Sequence, residues 1–266
     1  MNDVTSTVMR YTWEQGQLHR DSDAIVTEVP VALVYNDISH MVMMATPADL
    51  EDFALGFSLS EGILERPEQL QDMEVHQRPQ GIELAMTIAA RAFARLKERR
   101  RNLVGRTGCG LCGVESLAQA IPAVARVSGD IRLSHSALQA AITALAQRQS
   151  LKRLTGGVHG AAWCNAQGEI ELVREDVGRH NALDKLLGAL RRTAHSRQGF
   201  ALVTSRASYE MVAKAAACGV QVLAAVSAPT SLAVQQAEQS GLTLLGFLQP
   251  GRQVLYTHPQ RIAQEQ

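Results

Sequence analysis

Apolar positions are laid out along this chain in two successive ways. In the first third they form short apolar runs. Residues 24–37 and 38–46 read as strands meeting at Asn36-Asp37, a pair suited to a tight turn. Pro47 opens a helical stretch running to Leu64, with acidic residues in its first turn. Residues 82–89 read as another strand, and residues 91–101, RAFARLKERRR, form a basic segment whose plain reading is a solvated helix face.

Beyond residue 113 the pattern changes. Val114–Ile121 can open a helix. Residues 134–149 predict a clearer one, with Ser134 as N-cap and Leu138, Ala141, Ile142 and Leu145 along one stripe. From Thr155 onward the two periods alternate. Residues 157–165 and 169–176 predict a hairpin around Ala166-Gln167-Gly168, and 180–191 a helix with Ala182, Leu183, Leu186, Leu187 and Leu190 on one face. Asp184 and Lys185, just past Leu183, fall on its polar face. Strands are expected at 199–205, 220–226, 242–248 and 253–258. Helices are expected at 209–217 and 228–240, the second with Ser227 as N-cap and Gly241 as stop. Alternation of this kind predicts an α/β layered sheet. The change in pattern divides the chain into a smaller β-rich N-terminal region (1–104), a Gly-rich junction (105–133) and an α/β domain (134–266).

Composition narrows the function classes. The chain has 266 residues, 46% hydrophobic and 20% charged, which is a globular balance. Lys plus Arg equals Asp plus Glu at 26 each, which argues against nucleic-acid binding through overall charge. No run of about 18 apolar residues is present, so no membrane span is expected. The first twenty residues lack the apolar core of a signal peptide. A cytoplasmic setting follows as the expectation, and there paired thiols do chemistry more often than they staple a fold.

The chemistry is concentrated in RTGCGLCGVE, residues 106–115, which holds two of the four cysteines. Structural zinc wants four N or S ligands, and no second Cys-x-x-Cys or close His pair is present. Cys164, in a predicted strand, and Cys218, at a helix end, read as buried small hydrophobes. A thioredoxin-like redox pair would follow an apolar strand, whereas this one follows a basic, Gly-rich segment. A sulfur carrier needs an accessible thiol favoured as its anion. Gly105, Gly108, Gly110 and Gly113 permit an exposed, mobile loop. Arg99, Arg100, Arg101 and Arg106, with the N-terminus of a following helix, supply positive potential.

GRTGCGLCGVESL together with REDVGRHNALDKLLG resembles the FdhD/NarQ family, sulfur carrier proteins needed for formate dehydrogenase activity. TGGVHGAA and TSRASYEMVAKAA fit the same pattern, and the resemblance runs from about Thr27 to Tyr256. It implies that a cysteine desulfurase passes sulfur to Cys109 as a persulfide, with Cys112 in a supporting or relay role. The sulfur then goes to the molybdenum bis(molybdopterin guanine dinucleotide) cofactor, bound as substrate, before insertion into the catalytic subunit of formate dehydrogenase. The competing reading is a cofactor-binding chaperone that moves no sulfur. The family's cofactor-binding stretch falls on Phe247, Leu248, Gln249, Pro250, Gly251 and Arg252. This chain keeps Gly251 and Arg252 but has Gln249, Pro250, Gln253 and Val254 where the family pattern carries a further cationic and a further amide side chain.

The resemblance also implies a homodimer and a cytidine-deaminase-like three-layer fold. In a deaminase, a helix beginning His-x-Glu and a later Pro-Cys-x-x-Cys hold zinc and move protons. Here His180 keeps the His position, Ala182 replaces the Glu, and Ser205 and Ser208 stand at the cysteine positions. No zinc and no deamination are therefore expected. What remains is a pocket at helix N-termini suited to anionic groups, with Arg179, His180, Arg206 and Ser208 as its candidate lining. His159 reads as structural.

Overall fold

The computed structural model describes residues 3–103, 124–193 and 198–263. The helix expected at Val114–Ile121 lies outside the described residues. The α/β class is the one adopted, in three sheets. The first is a two-stranded antiparallel ribbon, β1 (Thr5–Glu14) and β2 (Gln17–Val26), turning at Gln15 and Gly16. Both turn residues have positive φ, 50° and 82°, the hand that matches strand twist in a two-residue hairpin. Apart from Ala24–Val26, the ribbon was not foreseen in the sequence pattern.

The second sheet has the order β4-β3-β6-β5, built from β3 (Val29–Tyr35), β4 (Ile38–Ala45), β5 (Leu70–Arg78) and β6 (Gly81–Ile88). The Asn36-Asp37 turn forms where expected, both residues left-handed at 44° and 64°. Asn36 also accepts from the Ile88 amide at 2.7 Å, fastening the turn to β6. The inward faces of β3 and β6 (Val31, Leu33, Tyr35, Ile82, Leu84, Met86) share a core with α1 (Leu50–Ser60). That helix starts later than Pro47 because Thr46 is committed elsewhere. Its amide donates to Asp176 at 3.0 Å, its carbonyl accepts from Lys185 at 2.9 Å, and the chain turns into the helix only at Asp49. The basic segment lies in α2 (Ala90–Leu103).

The third sheet has six strands in the order β12-β11-β10-β9-β7-β8. They are β7 (His159–Asn165), β8 (Ile170–Asp176), β9 (Gly199–Val203), β10 (Val222–Ala225), β11 (Thr243–Gln249) and β12 (Arg252–Leu255). β9, β10 and β11 run parallel, as crossover helices require, and β7, β8 and β12 are antiparallel to their neighbours. α3 (His135–Arg148) and the short α4 (Ser150–Thr155) precede it. Ser134 caps α3 as predicted, accepting from the Ala137 amide at 3.0 Å. Leu138, Ala141 and Leu145 of α3 pack on one face with Ala162, Cys164, Phe200, Leu202 and Leu245. α5 (Arg179–Arg192), α6 (Tyr209–Ala217) and α7 (Ser231–Ser240) cover the other, giving three layers. The cap of α7 is Thr230, which accepts from the Ala233 amide, and not Ser227. Residues 227–229 stay extended because Ser227 accepts from Phe247 and Ala228 from Ala207. Gly241 ends α7 at φ 78°, as expected.

The largest correction concerns α5. Asp184 and Lys185, expected on a polar face, are fully buried. α1 lies across the side of α5 that faces away from the sheet, so the helix is covered on two sides. The crossing is close enough that a Cβ on Gly56 would sit 1.7 Å from the Asp184 carbonyl oxygen, and one on Gly188 1.9 Å from that of Asp52.

Candidate functional site

In an open α/β sheet, ligands gather at the carboxyl ends of parallel strands, where the following helices point their N-termini. Four chain segments meet along that edge. Asp176 ends β8 and leads into Arg179 and His180 at the start of α5. β9 leads through Thr204–Ala207 to Ser208, the N-cap of α6. β10 leads into 226–230, tied to the previous loop by a bridge between Ala207 and Pro229. β11 carries Phe247 near its end, and the Phe247 amide donates to the Ser227 carbonyl at 3.2 Å.

The predicted pocket residues divide along this edge. His180 Nε2 lies 2.9 Å from Oε2 of Glu210, in the first turn of α6, so the N-termini of α5 and α6 are linked side chain to side chain. Burial holds the imidazole below its usual pKa, while Glu210 pulls the other way and Arg179 and Lys214 add to the lowering. Ser208 does not cap α6 with its side chain, and its buried hydroxyl has no hydrogen-bond partner. Arg179 Nε is likewise buried without a partner. Arg206 is exposed. His159, at the start of β7, is half-buried, its pKa lowered by burial and then by Lys152 and Arg179. Ser205 is buried and its hydroxyl donates to the Arg206 carbonyl at 3.0 Å.

The C-terminal stretch lies at the other end of the row. Phe247 sits at a bulge with φ 51°, and the Arg252 guanidinium lies over its ring, 5.2 Å from the centroid. Leu248 is fully buried in the core against α3, whereas Gln249, Pro250 and Gly251 form an exposed turn. Gln139 of α3 holds that turn, accepting from the Gly251 amide at 2.7 Å and donating to Gln253 at 3.0 Å. Gln253 also reaches His135. The altered amide position is therefore engaged with α3 and not with the edge. β12, which carries Arg252, and β9, which leads to Glu210 beside His180, are three strand spacings apart, about 14 Å, so an occupant that meets both Arg252 and His180 must be extended.

Glu210, thirty residues from His180, carried no spacing signal and was missed. Two buried ionic clusters behind the edge were missed as well. Lys185 and Asp176, both with no exposed side-chain surface, pair at 2.7 Å. Asp176 also accepts from the Gly178 amide and from Asn181, and Asn181 donates to the Met44 carbonyl. One shell out, Lys214 donates to Asp184 at 2.9 Å, to Glu61 at 2.6 Å and to Ser60 at 3.1 Å. Burial alone would lower the Lys214 pKa, but Asp184 and Glu61 outweigh it and raise it. Among the described residues, no three His, Cys, Asp or Glu side chains converge as metal ligands would, and no helix is long and apolar enough to cross a membrane.

Cys109 and Cys112 lie outside the described residues. Both described cysteines are chemically quiet. Burial, then Glu171, pushes the Cys164 thiol up to about 12, and burial, then Asp184, does the same to Cys218.

Residues 26–263 match the sequence profile of the FdhD/NarQ family. A protein of Cupriavidus necator named sulfur carrier protein FdhD is 57% identical over 261 residues, covering 98% of this chain and 91% of the relative. One of Variovorax paradoxus with the same name is 55% identical over 247 residues, covering 92% and 89%. Among solved structures, a candidate formate dehydrogenase accessory protein from Desulfotalea psychrophila superposes with a TM-score of 0.75 at 24% identity. It covers 98% of this chain and 100% of that one, a likeness of fold.

Proposed function

The chain belongs to the FdhD/NarQ family, and from that premise we propose that it is a sulfur carrier acting through Cys109. The observation that carries the reading is the contrast among its four cysteines. Cys164 and Cys218 are buried with thiols raised to about 12, unfit as nucleophiles near neutral pH. Cys109 and Cys112 sit in a Gly-rich sequence flanked by Arg99, Arg100, Arg101 and Arg106, which favours thiolates.

The Cys109 thiolate attacks the outer sulfur of a persulfide on a cysteine desulfurase. A new S–S bond forms on Cys109, and the donor leaves as its thiolate. Delivery as sulfide needs two electrons. Attack of the Cys112 thiolate on the Cys109 Sγ supplies them, expels the outer sulfur as sulfide and leaves a Cys109–Cys112 disulfide. A thiol reductant then restores the pair. The acceptor is the molybdenum bis(molybdopterin guanine dinucleotide) cofactor, held as substrate along the carboxyl edge of the six-stranded sheet and destined for the catalytic subunit of formate dehydrogenase. Arg252 over Phe247 offers a cationic, stacked surface for a guanine or a phosphate. Arg179, His180, Arg206 and Ser208, at two helix N-termini, suit a second phosphate group. The protein works in the cytoplasm as a homodimer.

Incubation with a desulfurase and free cysteine, followed by intact mass measurement, tests the reading. The wild type gains one sulfur, about 32 Da and reversible by reductant, and Cys109→Ala gains none. If Cys109→Ala still supports full formate dehydrogenase activity in cells, the chain is a cofactor chaperone that moves no sulfur, and the proposal falls.

A further inference from the structure

The N-terminal ribbon has two unlike faces. Directly opposed residues of an antiparallel pair share a face, so Met9↔Ser22, Tyr11↔Arg20 and Trp13↔Leu18 lie on one side. Val8↔Asp23 and Arg10↔Asp21 lie on the other. The second face is closed on itself: Arg10 pairs with Asp21 at 3.0 Å and with Asp23 at 2.8 Å. The first face is apolar and uncovered. Met9, Tyr11, Trp13 and Leu18 are 56%, 66%, 71% and 65% exposed. They occupy the distal half of strands about 33 Å long, while the base is held at Thr27, whose amide donates to the Val4 carbonyl. An isolated two-stranded ribbon is marginal in water, and a stripe of large apolar side chains this size on one marks an interaction surface.

The same chain carries a surface that fits this stripe. Val31, Leu33 and Tyr35 point inward from β3, so Pro30, Ala32 and Val34 face outward. On the edge strand β4 their neighbours are Met44, opposite Pro30, and Val42, opposite Ala32, which are 47% and 57% exposed. Further across that outer face, Glu83 neighbours Ala32 and is paired with Arg78 at 2.7 Å, and Glu74, exposed and 3.1 Å from His76, neighbours Ala85. The ribbon stripe carries one cation, Arg20, over the Tyr11 ring. Apolar therefore meets apolar, and Arg20 meets the exposed Glu74. The ribbon residues present about 600 Å² and Val42 with Met44 about 200 Å². Two copies exchanging these surfaces would each bury about 800 Å², the size of a standard stable interface.

We propose that two copies of the chain pair through this surface, the apolar face of each ribbon lying across the outer face of β4 in the other. The proposal rests on the homodimer named above and specifies where it forms. A two-fold axis makes the two contacts equivalent and closes the assembly, so no free apolar stripe is left to extend it.

Sedimentation velocity of the full chain from about 0.1 to 100 µM tests this. The wild type should be a dimer at the upper concentrations. Tyr11→Ser with Trp13→Ser should weaken pairing at least about tenfold, and so should Val42→Glu on the receiving surface, each with an unchanged far-UV spectrum. Thr12→Ala, on the opposite ribbon face, should change nothing. Trp163 is buried, so the dilution-dependent part of the tryptophan emission belongs to Trp13 and should shift to the red as the dimer dissociates. A chain monomeric throughout overturns both the pairing and its surface, and leaves the stripe to a different protein. A dimer indifferent to the ribbon substitutions overturns the surface alone. A dimer sensitive to the ribbon but not to Val42→Glu overturns the β4 contact.

Discussion

Lys185 and Asp176 share one position in the fold and have no solvent between them. A buried ion pair contributes little net stability by itself, but losing one partner strands the other charge. Asp176 keeps three hydrogen-bond donors without Lys185: the Thr46 and Gly178 amides and the Asn181 side chain. It would still lack a counter-charge in the interior. Lys185→Met should therefore lower stability by about 3–5 kcal/mol in urea denaturation, and adding Asp176→Asn should recover part of that loss. A single variant within about 1 kcal/mol of wild type would overturn the claim that Lys185 compensates a buried charge. His180 acts the other way, through ligand binding. Its pKa is lowered in the free protein, so near neutral pH the ring is mostly uncharged. A phosphate set beside it raises that pKa, and binding takes up a proton. Affinity for guanosine diphosphate should then tighten as pH falls from about 8 to about 6, and the pH slope should flatten in His180→Gln. Calorimetry in two buffers of unlike ionisation heat measures the proton directly. A pH-independent constant would remove His180 from the phosphate site.

At the scale of elements, the crossing of α1 on α5 decides most. Two glycines, Gly56 and Gly188, let the helix backbones touch, and a methyl group on either would enter a backbone carbonyl of the other helix. Backbone cannot step aside as a side-chain end can, so Gly56→Ala and Gly188→Ala should each cost about 3 kcal/mol or more by chemical denaturation. Gly156→Ala is the contrast. It is left-handed at φ 70° with open space around it, so only the backbone conformation is penalised, about 1–2 kcal/mol. This crossing also explains what the sequence could and could not disclose. The strands β3, β6 and β7–β11 were legible because each buries at least one face. β1 and most of β2 were not: Met9, Tyr11 and Trp13 alternate with Arg10 and Thr12 along β1, but neither face is buried within the chain, and on β2 only Leu18 continues the stripe. β5 was missed since its inward side chains, Leu70, Met73 and Val75, are only partly buried and a register shift after Leu70 breaks their alternation. Asp184 and Lys185 sit off the apolar stripe of α5, and their burial comes from α1, more than a hundred residues earlier. His180 and Ser208 were readable from local motifs, whereas Glu210, which ties His180 to the first turn of α6, was not.

Across the whole molecule, the question is whether the N-terminal sheet and the six-stranded sheet form separate units. The core argues against independence. One apolar cluster runs from Val31 and Leu84 of the four-stranded sheet through Phe53 and Phe57 of α1 to Leu183 and Leu187 of α5, and on to Val203 and Leu223 of the larger sheet. Ion pairs follow the same path. Asp52 of α1 is held by Arg174 of β8 at 2.7 Å and by Arg192 of α5 at 2.9 Å, and Glu61 by Lys214 of α6. Separating the halves would expose the side of α1 that meets α5, and would take Asp52 from Arg174 and Arg192 and Glu61 from Lys214, so a half-folded state gains little entropy for the surface it loses. Unfolding in urea should then be one cooperative step. Buried Trp163 in β7 and far-UV ellipticity should give coincident midpoints, and Leu84→Ala in the small sheet should move both by the same amount. Two resolved transitions, with Leu84→Ala shifting only one, would mean that the α1 contact is a docking of finished domains and not part of a shared core.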